Sequence, residues 1–415
     1  MRNQFIPVFF RRIGLLIRIL WLKYRYRRTL CHLRKDYGKR KMKVGFLVSE
    51  LAKWKGQSLY DLMDGSSNFE PQIIVYPMPV EMGDSRPVQE ATMKVKADYF
   101  RNKGMALQNL WDIEEQRFKL EDMNDIDICF YQQPWDLPPA PYPHQIAAKM
   151  LTFYFPYYIN SYVSTQMNMV LSREVFRQIL LNEEQKRRYN KNRPYWKYSG
   201  LLIGLGYPVL DYLNKGNNTD SADQSVIYAP HFSFPVEGCK RLFPASTFLD
   251  NGRLILDFAK SHPEIKWAFK PHPRLRRELT DTHTWTKEEV DEYYGEWEKI
   301  GTVCYTSDYI SLFQNSSVMI TDCGSFLTEY SCTGKPIIHL VPGKLPSEPD
   351  PAVAELFNFF YQASCVSDLE RLLDQIVIKR EDPMKSARLE CMMRIGLLDS
   401  NASQNIMNYL EQLLG

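Results

Sequence analysis

The amino-acid sequence predicts an α/β protein with two doubly wound parallel-sheet domains, preceded by a basic amphipathic helix. Three observations support this prediction. A chain of 415 residues is too long for one ordinary hydrophobic core. Short apolar runs alternate with amphipathic stretches through residues 42–213 and again through 225–415, which is typical of βα units. The run between them, 214–224, is polar and rich in Gly, Asn and Asp, as expected of a linker.

The first 41 residues form the predicted basic helix. They contain thirteen Lys and Arg residues and one acidic residue, Asp36, whereas the whole chain carries a net charge of only +3. Arg11, Arg18 and Arg25 recur every seven residues and so lie on one helical face. Arg11, Arg12 and Arg18 interrupt the apolar run, which leaves it short of the roughly 20 apolar residues of a spanning helix. We expect an arm (1–41) that lies on an anionic membrane surface rather than on nucleic acid; packing on the protein's own body is the alternative.

The predicted strands follow one another along the two halves of the chain. They lie at 43–49, 72–76, 127–131, 151–155, 225–229, 266–270, 302–306, 318–321 and 336–341. Helices are expected between them, among others at 58–63 and 172–189. Ligands of doubly wound sheets bind beyond the carboxyl ends of the strands, so polar residues that follow a strand are the first candidates for a site. With two such domains, we expect the site in the cleft between them.

Several functional classes lack support in the sequence. The eight cysteines are scattered without a Cys-x-x-Cys pair, which favours free thiols in a reducing compartment over disulfides or a metal centre. No Gly-x-Gly-x-x-Gly, Walker or His-Glu-x-x-His motif is present, so a dehydrogenase, a P-loop kinase or a zinc hydrolase is not indicated. Asp125 and Asp127 form an Asp-x-Asp pair, but they precede a strand instead of following one. We therefore expect neither a metal ion nor a cofactor.

The segment 318–341 carries the strongest chemical signature. It consists of a buried strand, a short turn, a helix and a second strand, with Asp322, Gly324 and Ser325 in the turn. A glycine lets the backbone approach a ligand closely, and a serine here is placed to cap the helix. Because free N–H groups and the helix dipole attract anions, we predict an anion site at the helix start, with Glu329 in reach of ribose hydroxyls. The alternative is a plain βαβ unit with a capped helix.

Two more strand ends carry polar side chains. Lys270, His272 and Arg274 follow a strand, and two prolines between them fix the backbone. A cation, an imidazole and a guanidinium at one strand end suit a pyrophosphate and a proton transfer. His231 follows another strand and is a second candidate for chemistry. A purely structural role is the alternative for each.

The N-terminal half offers candidates for the acceptor side of a cleft. Gln57 and Ser58 follow the first strand, and Gln133 and Trp135 follow a later one. Packing or a partner surface is the alternative role for these side chains.

Three short motifs of the C-terminal half resemble the CDP-glycerol glycerophosphotransferases of the teichoic acid polymerase type. Two runs of the N-terminal half, 49–62 and 130–136, look like segments of a capsule-locus branch of that family. The motifs are Lys-Pro-His-Pro at 270–273, Ile-Thr-Asp-Cys-Gly-Ser at 320–325 and Lys-Pro-Ile-Ile at 335–338. The resemblance extends over about 225 to 345. It implies a GT-B fold with two Rossmann-like domains, a CDP-alditol donor, no cofactor, and peripheral attachment to the inner, cytoplasmic face of the cell membrane.

The resemblance also implies roles for individual residues. His272 matches the family's essential histidine, and the donor phosphate loop falls on Thr321, Asp322, Gly324 and Ser325. The chain departs from the family pattern in two places. Cys-Gly stands where the family has Tyr-Ser after the aspartate, and the N-terminal half has no Trp-His-Gly motif.

The implied reaction transfers an alditol phosphate, with glycerol phosphate expected first, from a CDP-alditol to a hydroxyl of a lipid-linked glycan or polymer, and it releases CMP. Lys270 and Arg274 would stabilise the pyrophosphate, and His272 or His231 would act as base, unless His272 donates to a phosphate oxygen. One alternative is a GT-B glycosyltransferase that uses a nucleotide sugar. Another is a non-catalytic assembly protein of the polysaccharide machinery, which the missing Trp-His-Gly motif favours.

Overall fold

The chain folds into two compact units, each with its own parallel sheet. The computed structural model describes residues 5–134, 141–159, 161–162, 170–192, 201–213, 225–236, 245–305, 309–343, 348–398 and 401–415. Unit 1 comprises Met1–Tyr158, Thr165–Val209 and Asn401–Gly415, and unit 2 comprises Ile159–Ser164 and Leu210–Ser400. The two sheets confirm the predicted α/β class with two Rossmann-like domains. The predicted linker, 214–224, lies outside the described residues.

Among the described residues, the sheet of unit 1 has seven strands, all parallel to their neighbours. Together with a separate hairpin, β4–β5, the strands of this unit are β1 (Met42–Val48), β2 (Phe69–Val75), β3 (Leu107–Asn109), β4 (Trp111–Asp112), β5 (Arg117–Phe118), β6 (Ile128–Tyr131), β7 (Leu151–Tyr154), β8 (Arg177–Leu180) and β9 (Leu202–Gly204). The sheet order is β3-β2-β1-β6-β7-β8-β9. Gly45 in the central strand β1 leaves room for Ile74 of β2, because a Cβ there would lie 2.5 Å from the Ile74 Cδ1 atom.

In the described part of the chain, six α-helices of unit 1 lie before Leu210. They are α1 (Phe5–Asp36), α2 (Gln57–Asp64), α3 (Arg86–Arg101), α4 (Pro143–Ile146), α5 (Val170–Glu174) and α6 (Glu183–Asn192). The predicted helix at 172–189 is wrong in its middle, because β8 separates α5 from α6. The charged residues at 183–192 indicate a helix, but the residues just before them form the strand β8, which is buried at three of its four positions. Among the described helices, none is both long enough and apolar enough to cross a membrane.

In the parts of unit 2 that the structure describes, the sheet has six parallel strands in the order β12-β11-β10-β13-β14-β15. The strands are β10 (Ser225–Ala229), β11 (Trp267–Phe269), β12 (Gly301–Val303), β13 (Ser316–Thr321), β14 (Ile337–Leu340) and β15 (Tyr361–Ala363). In sequence order this is the 3-2-1-4-5-6 arrangement of a Rossmann fold. The direction of chain progression therefore reverses between β10 and β13, and a ligand crevice is expected at the carboxyl ends of these two strands.

Helices complete unit 2, and a last helix returns to unit 1. They are α7 (Leu210–Leu213), α8 (Phe248–Ser261), α9 (Leu275–Asp281), α10 (Lys287–Ile300), α11 (Ile310–Gln314), α12 (Gly324–Ser331), α13 (Val366–Leu372), α14 (Lys385–Arg394) and α15 (Ala402–Leu414). A hydrogen bond of 2.7 Å between the hydroxyls of Ser58 on α2 and Ser403 on α15 joins the last helix to unit 1. Unit 1 thus includes the C-terminal helix that was predicted within 225–415, and unit 2 includes Ile159–Ser164 from the predicted domain 42–213.

Candidate active site in unit 2

The carboxyl ends of β10, β11 and β13 bring three of the predicted segments together. Tyr228 of β10 pairs with Phe269 of β11, and Ala229 of β10 pairs with Thr321 of β13. Because the strands are parallel and in register, the residues that follow them emerge at one edge of the sheet. His231, Lys270 and Asp322 therefore lie around the topological switch point of unit 2.

Asp322 holds two loops of this edge in place. One carboxylate oxygen accepts the backbone N–H of His231 at 2.6 Å, and the other accepts the backbone N–H of Thr247 at 2.6 Å and its hydroxyl at 3.1 Å. The side chain is buried, and burial raises the pKa of the Asp322 carboxyl to about 6 although these hydrogen bonds lower it. The carboxylate is ionised at neutral pH, and it anchors the His231 loop and the start of α8.

Thr321 also connects two segments at this end of the sheet, through its hydroxyl. Its hydroxyl donates to the carbonyl oxygen of Ala229 at 2.6 Å and accepts the backbone N–H of Cys323 at 2.9 Å. The side chain is fully buried. Thr321 therefore ties the turn after β13 to the end of β10, and its contacts are structural.

The helix start predicted as an anion site is α12. It begins at Gly324, and its N-cap residue is Cys323, which makes no side-chain capping bond. Ser325 lies in the first helical turn, so the predicted cap at Ser325 is wrong; its hydroxyl lies 3.5 Å from the Cys323 sulfur. Gly324 and Ser325 are half-buried. The backbone N–H groups of the first turn of a helix have no intrahelical acceptor, and they carry the positive end of the helix dipole.

His231 and His272 lie side by side at the same edge. Their ring centroids are 5.0 Å apart, and the Phe232 ring lies 4.4 Å from the His272 ring. The Arg274 guanidinium stacks over Phe232 at 4.3 Å from the ring centroid and lies 3.5 Å from the carboxylate of Glu278. The two imidazoles and this exposed guanidinium thus surround one aromatic ring.

Hydrogen bonds to the ring nitrogens distinguish the two histidines. The His272 Nδ1 atom accepts the backbone N–H of Arg274 at 3.1 Å. Burial and the neighbouring positive charges lower the pKa of His272 to about 2, so the ring is neutral at physiological pH and carries its proton on Nε2. The His231 Nδ1 atom likewise accepts the backbone N–H of Ser233 at 3.2 Å, and it also lies 2.8 Å from the Ser233 hydroxyl. Both rings are therefore held with Nδ1 as acceptor, but His231 has a hydroxyl that can accept its Nδ1 proton in the other tautomer, at the cost of the hydrogen bond from the Ser233 N–H.

Lys270 adds a cation close to these groups. The residue is 4% exposed, and its backbone N–H is fixed by the carbonyl of Tyr228 at 2.8 Å. Burial lowers the pKa of the Lys270 ammonium, while the thiols of Cys304 and Cys323 act on it in the opposite direction. A poorly hydrated ammonium gains more from an incoming anion than an exposed one does, because its hydration has already been removed.

Glu329, predicted to lie in reach of ribose hydroxyls, is buried and has a partner inside unit 2. It is 1% exposed on α12, and one of its carboxylate oxygens accepts a hydrogen bond from the Tyr309 hydroxyl. Glu329 does lie one helical turn after Ser325 on α12. Helical periodicity does not show, however, which neighbouring side chain covers that face of the helix.

Two residues of the candidate site gave no sequence signal. The Ser161 hydroxyl donates to the Gly324 carbonyl and lies 2.6 Å from the Thr328 hydroxyl. The Tyr162 ring covers Gly324, where a Cβ atom would lie 3.1 Å from the ring. Both residues come from Ile159–Ser164, the short segment of the N-terminal half that belongs to unit 2. A segment of six residues without a motif carries no pattern that predicts such a contact.

The predicted acceptor-side residues lie in unit 1 and have contacts of their own. Gln57 accepts the Trp54 indole N–H at 3.1 Å and donates to Asp61 at 2.8 Å. Ser58 is buried and donates to the Pro208 carbonyl at 2.9 Å.

Gln133 is buried and accepts the Ser49 hydroxyl at 3.1 Å, at the carboxyl ends of β1 and β6. Trp135 lies outside the described residues. In the part of the chain that the structure describes, no group of three or more His, Cys, Asp or Glu side chains is arranged to hold a metal ion.

Known structures share this fold at low sequence identity. A variant of the wall teichoic acid polymerase TagF matches with a TM-score of 0.55 and 11% identity over 99% of this chain and 98% of that chain. The S. aureus MnaA–UDP co-structure matches with a TM-score of 0.51 and 11% identity over 90% and 97% of the two chains. A UDP-N-acetylglucosamine 2-epimerase gives 0.51 and 12% over 89% and 95%. No protein-family model and no curated protein matches the chain. These likenesses confirm the GT-B-like fold.

Proposed function

We propose that this GT-B-like chain transfers an alditol phosphate, most simply glycerol phosphate, from a CDP-alditol to a hydroxyl of a lipid-linked glycan, with release of CMP. The observation that supports this best is the grouping of a neutral imidazole donor, a buried ammonium and a helix start at one sheet edge. The motifs at 270–273 and 320–325 favour a CDP-alditol over other donors. A TagF variant of the same fold has been soaked with CDPG, and this supports the choice of a CDP-alditol as donor.

The donor's pyrophosphate would bind at the start of α12. The first backbone N–H groups of α12 and the Lys270 ammonium would contact its oxygens, and both would stabilise the charge that grows as CMP departs. His272 would donate its Nε2 proton in a hydrogen bond to a phosphate oxygen, since its Nδ1 is occupied by the Arg274 N–H. Arg274 is exposed and would meet the donor as it enters.

Transfer then requires a base for the acceptor. The acceptor oxygen forms a bond to the phosphorus of the alditol phosphate, the bond from that phosphorus to the CMP oxygen breaks, and CMP leaves with the bonding electron pair. The hydroxyl proton would pass to His231 Nε2 in the tautomer whose Nδ1–H donates to the Ser233 hydroxyl, 2.8 Å away, and this tautomer gives up the hydrogen bond that Nδ1 accepts from the Ser233 N–H. This role for His231 replaces the family's Trp-His-Gly histidine. Such transfer depends mainly on positioning and electrostatics.

The acceptor and the location of the enzyme follow from the same proposal. A lipid-linked acceptor is presented at the inner face of the cytoplasmic membrane, and the basic residues of 1–41 would keep the enzyme there. Cell-surface polysaccharide or teichoic-acid-like biosynthesis is the process that consumes such a product.

Donor binding and turnover by the full-length protein test the proposal. We would measure calorimetric binding of CDP-glycerol, CDP-ribitol, UDP-glucose and CMP, and then CMP release with a synthetic short-chain lipid-linked disaccharide. We expect selective CDP-alditol binding, and kcat lower by about 10²–10⁴-fold in His272→Asn. The control is His283→Asn, an exposed histidine with φ of 53°, a conformation that asparagine accepts readily.

The other outcomes assign the alternatives. Binding of UDP-glucose alone would move the chain to the nucleotide-sugar glycosyltransferases. Binding of none of these nucleotides would make it a non-catalytic assembly protein.

A further inference from the structure

The side chain of Tyr162 places a hydroxyl next to the start of helix α12. A Cβ atom on Gly324, the first residue of that helix, would lie 3.1 Å from both the Cδ2 and the Cε2 atoms of the Tyr162 ring. Because Cε2 is bonded to the ring carbon that carries the hydroxyl, this oxygen also lies close to Gly324. Burial raises the pKa of Tyr162 most, and the charges of Asp322 and Cys323, the two residues before the helix, raise it further. The hydroxyl is therefore on the N-terminal side of α12, where the first backbone N–H groups have no intrahelical acceptors.

The Tyr162 ring is held from two sides. Besides the helix start, it contacts the Phe357 ring in an edge-to-face arrangement, with the centroids 5.4 Å apart. The backbone of Tyr162 forms a β-bridge with Pro349, and the carbonyl of Ser161 accepts the N–H of Asp350 at 2.8 Å. All of these residues belong to unit 2. The hydroxyl is thus positioned before a ligand arrives, as are the preorganised donors that stabilise charge in enzymes.

The fold itself does not use the hydroxyl of Tyr162. The residue is half-buried, and in the part of the chain that the structure describes its hydroxyl makes no hydrogen bond. The raised pKa keeps the group protonated at physiological pH, so it is able to donate. Packing on Gly324 and Phe357 requires the ring but not the hydroxyl.

The sequence at the helix start also favours a role for this hydroxyl. Cys323 and Gly324 stand where the pattern of the resembled family has Tyr-Ser, so the chain lacks two hydroxyls at these positions. A serine at 324 would crowd the Tyr162 ring, because its Cβ atom would lie only 3.1 Å away, whereas glycine leaves the ring its space. The chain thus lacks the two hydroxyls that would follow Asp322, and it brings one tyrosine hydroxyl to the same place from a distant part of the sequence.

We propose that Tyr162 is a further phosphate-binding residue of unit 2, whose hydroxyl donates a hydrogen bond to a non-bridging oxygen of the donor's pyrophosphate at the start of α12. It acts beside the backbone N–H groups of α12 and the Lys270 ammonium, and it stabilises the charge that grows on the phosphate oxygens as CMP leaves. The proton stays on the hydroxyl throughout, and no covalent bond to Tyr162 forms or breaks. The inference rests on the proposed function for the identity of the donor, whereas the contact with a pyrophosphate does not depend on the reaction.

Two measurements on the full-length protein test this contact. The test variant is Tyr162→Phe, which keeps the ring and removes only the hydroxyl. The matched control is Tyr99→Phe in unit 1, because Tyr99 is also half-buried and also packs edge-to-face on a phenylalanine, Phe100, at 5.0 Å. Calorimetry measures the binding of inorganic pyrophosphate without donor or acceptor, and CMP release from CDP-glycerol measures turnover. Thermal unfolding shows whether each variant retains the fold.

We expect Tyr162→Phe to bind inorganic pyrophosphate about three- to tenfold more weakly and to release CMP about 10–100-fold more slowly, with an unchanged Tm. The control should match the wild type in all three measurements. Wild-type pyrophosphate affinity in Tyr162→Phe, an equal loss in the control, or no pyrophosphate binding by the wild type would overturn the proposal.

The two measurements also separate this inference from the proposed function. Weaker pyrophosphate binding by Tyr162→Phe with normal CMP release would overturn the role of the hydroxyl in transfer. Weaker pyrophosphate binding by the variant, in a protein that releases no CMP from CDP-glycerol, would support the contact and reject only the proposed reaction.

Discussion

The hydroxyls of Ser161 and Thr328 share a hydrogen bond of 2.6 Å although 167 positions of the sequence separate them. Ser161 also donates to the carbonyl of Gly324, the first residue of α12. The ring of the next residue, Tyr162, lies over Gly324. Burial raises the pKa of the Tyr162 hydroxyl most, and the charge of the nearby Asp322 raises it further. The helix start that would bind the donor's pyrophosphate is thus positioned by a segment from the other half of the sequence.

Ser161→Ala tests this positioning. Loss of the hydroxyl leaves the Thr328 hydroxyl and the Gly324 carbonyl without their buried partner, which costs about 1–2 kcal/mol of unfolding free energy. We also expect kcat/KM for CDP-glycerol to fall by about tenfold or more, since a small displacement of binding groups weakens transfer. Urea unfolding and steady-state kinetics measure the two effects.

Ser261→Ala is the matched control, because its exposed hydroxyl also donates to a backbone carbonyl, that of Asp257, at 2.9 Å. A Ser161 variant with normal kinetics and normal stability would contradict the positioning role. A stability loss with normal kinetics would leave Ser161 a structural residue only.

The residues at the carboxyl ends of these strands were predictable from the sequence, because strand positions depend on a local pattern of apolar residues. Apolar runs of strand length located nine of the strands, and parallel pairing then required Lys270, His231 and Asp322 to meet at the carboxyl ends of neighbouring strands. The use of the Asp322 oxygens was not predictable, since it depends on Thr247, which lies 75 positions away. The hydrogen bond from the Tyr309 hydroxyl to Glu329 was not predictable for the same reason. Side-chain roles of this type are decided by tertiary contacts, which periodicity does not encode.

Asp322→Asn should disorder the two loops that this carboxylate anchors. An amide has one acceptor oxygen and an NH₂ group, so it would place N–H hydrogens against either the His231 N–H or the Thr247 N–H. We expect a loss of roughly 1–3 kcal/mol of unfolding free energy, and a fall in kcat/KM because His231 follows its loop. Chemical denaturation and donor kinetics are the measurements. Asp250→Asn, an exposed carboxylate at the start of α8, should change neither; equal behaviour of the two variants would reject the anchor.

Arg388→Met tests a buried cation that supports the loop after α12. The Arg388 side chain is fully buried and donates through Nε and Nη2 to the carbonyl of Gly334, at 3.1 and 2.9 Å, and through Nη1 to Asp382 at 3.0 Å. Gly334 has φ of +74°, a left-handed conformation that glycine adopts without steric cost. Removing the guanidinium takes this donor from the buried Gly334 carbonyl and takes the cation from the partly buried Asp382 carboxylate, which keeps the Tyr361 hydroxyl at 2.8 Å. We expect a loss of about 3–5 kcal/mol.

Arg394→Met provides the comparison for that measurement. Arg394 lies on the same helix, but its side chain is 59% exposed in its ion pair with Glu355. Such surface pairs contribute about 0–1 kcal/mol. Urea unfolding of both variants should separate them clearly, and equal losses would contradict the assigned role of Arg388.

His339 should make the protein sensitive to acid. It is 2% exposed on β14, its ring lies 6.0 and 6.1 Å from those of Phe357 and Phe360, and among the described residues neither ring nitrogen has a hydrogen-bond partner. Burial lowers the pKa of His339 to about 4, from an ordinary value of 6.5. Between those values the unfolded chain takes up a proton that the folded chain refuses, so the unfolding free energy falls as the pH drops from about 6.5 to about 4.

His339→Leu removes this proton uptake and keeps an apolar side chain of similar volume among the two phenylalanines. We expect the variant to match or exceed the wild type in stability at pH 7, and to lose roughly 1–3 kcal/mol less on acidification to about pH 4. Urea unfolding at both pH values gives the difference directly, and the other titrating groups cancel because both proteins contain them. His283→Asn, at an exposed position, should retain the wild-type pH slope. Parallel curves for His339→Leu and the wild type would show that the buried ring accepts its proton without cost, and that water or a rearranged partner reaches it.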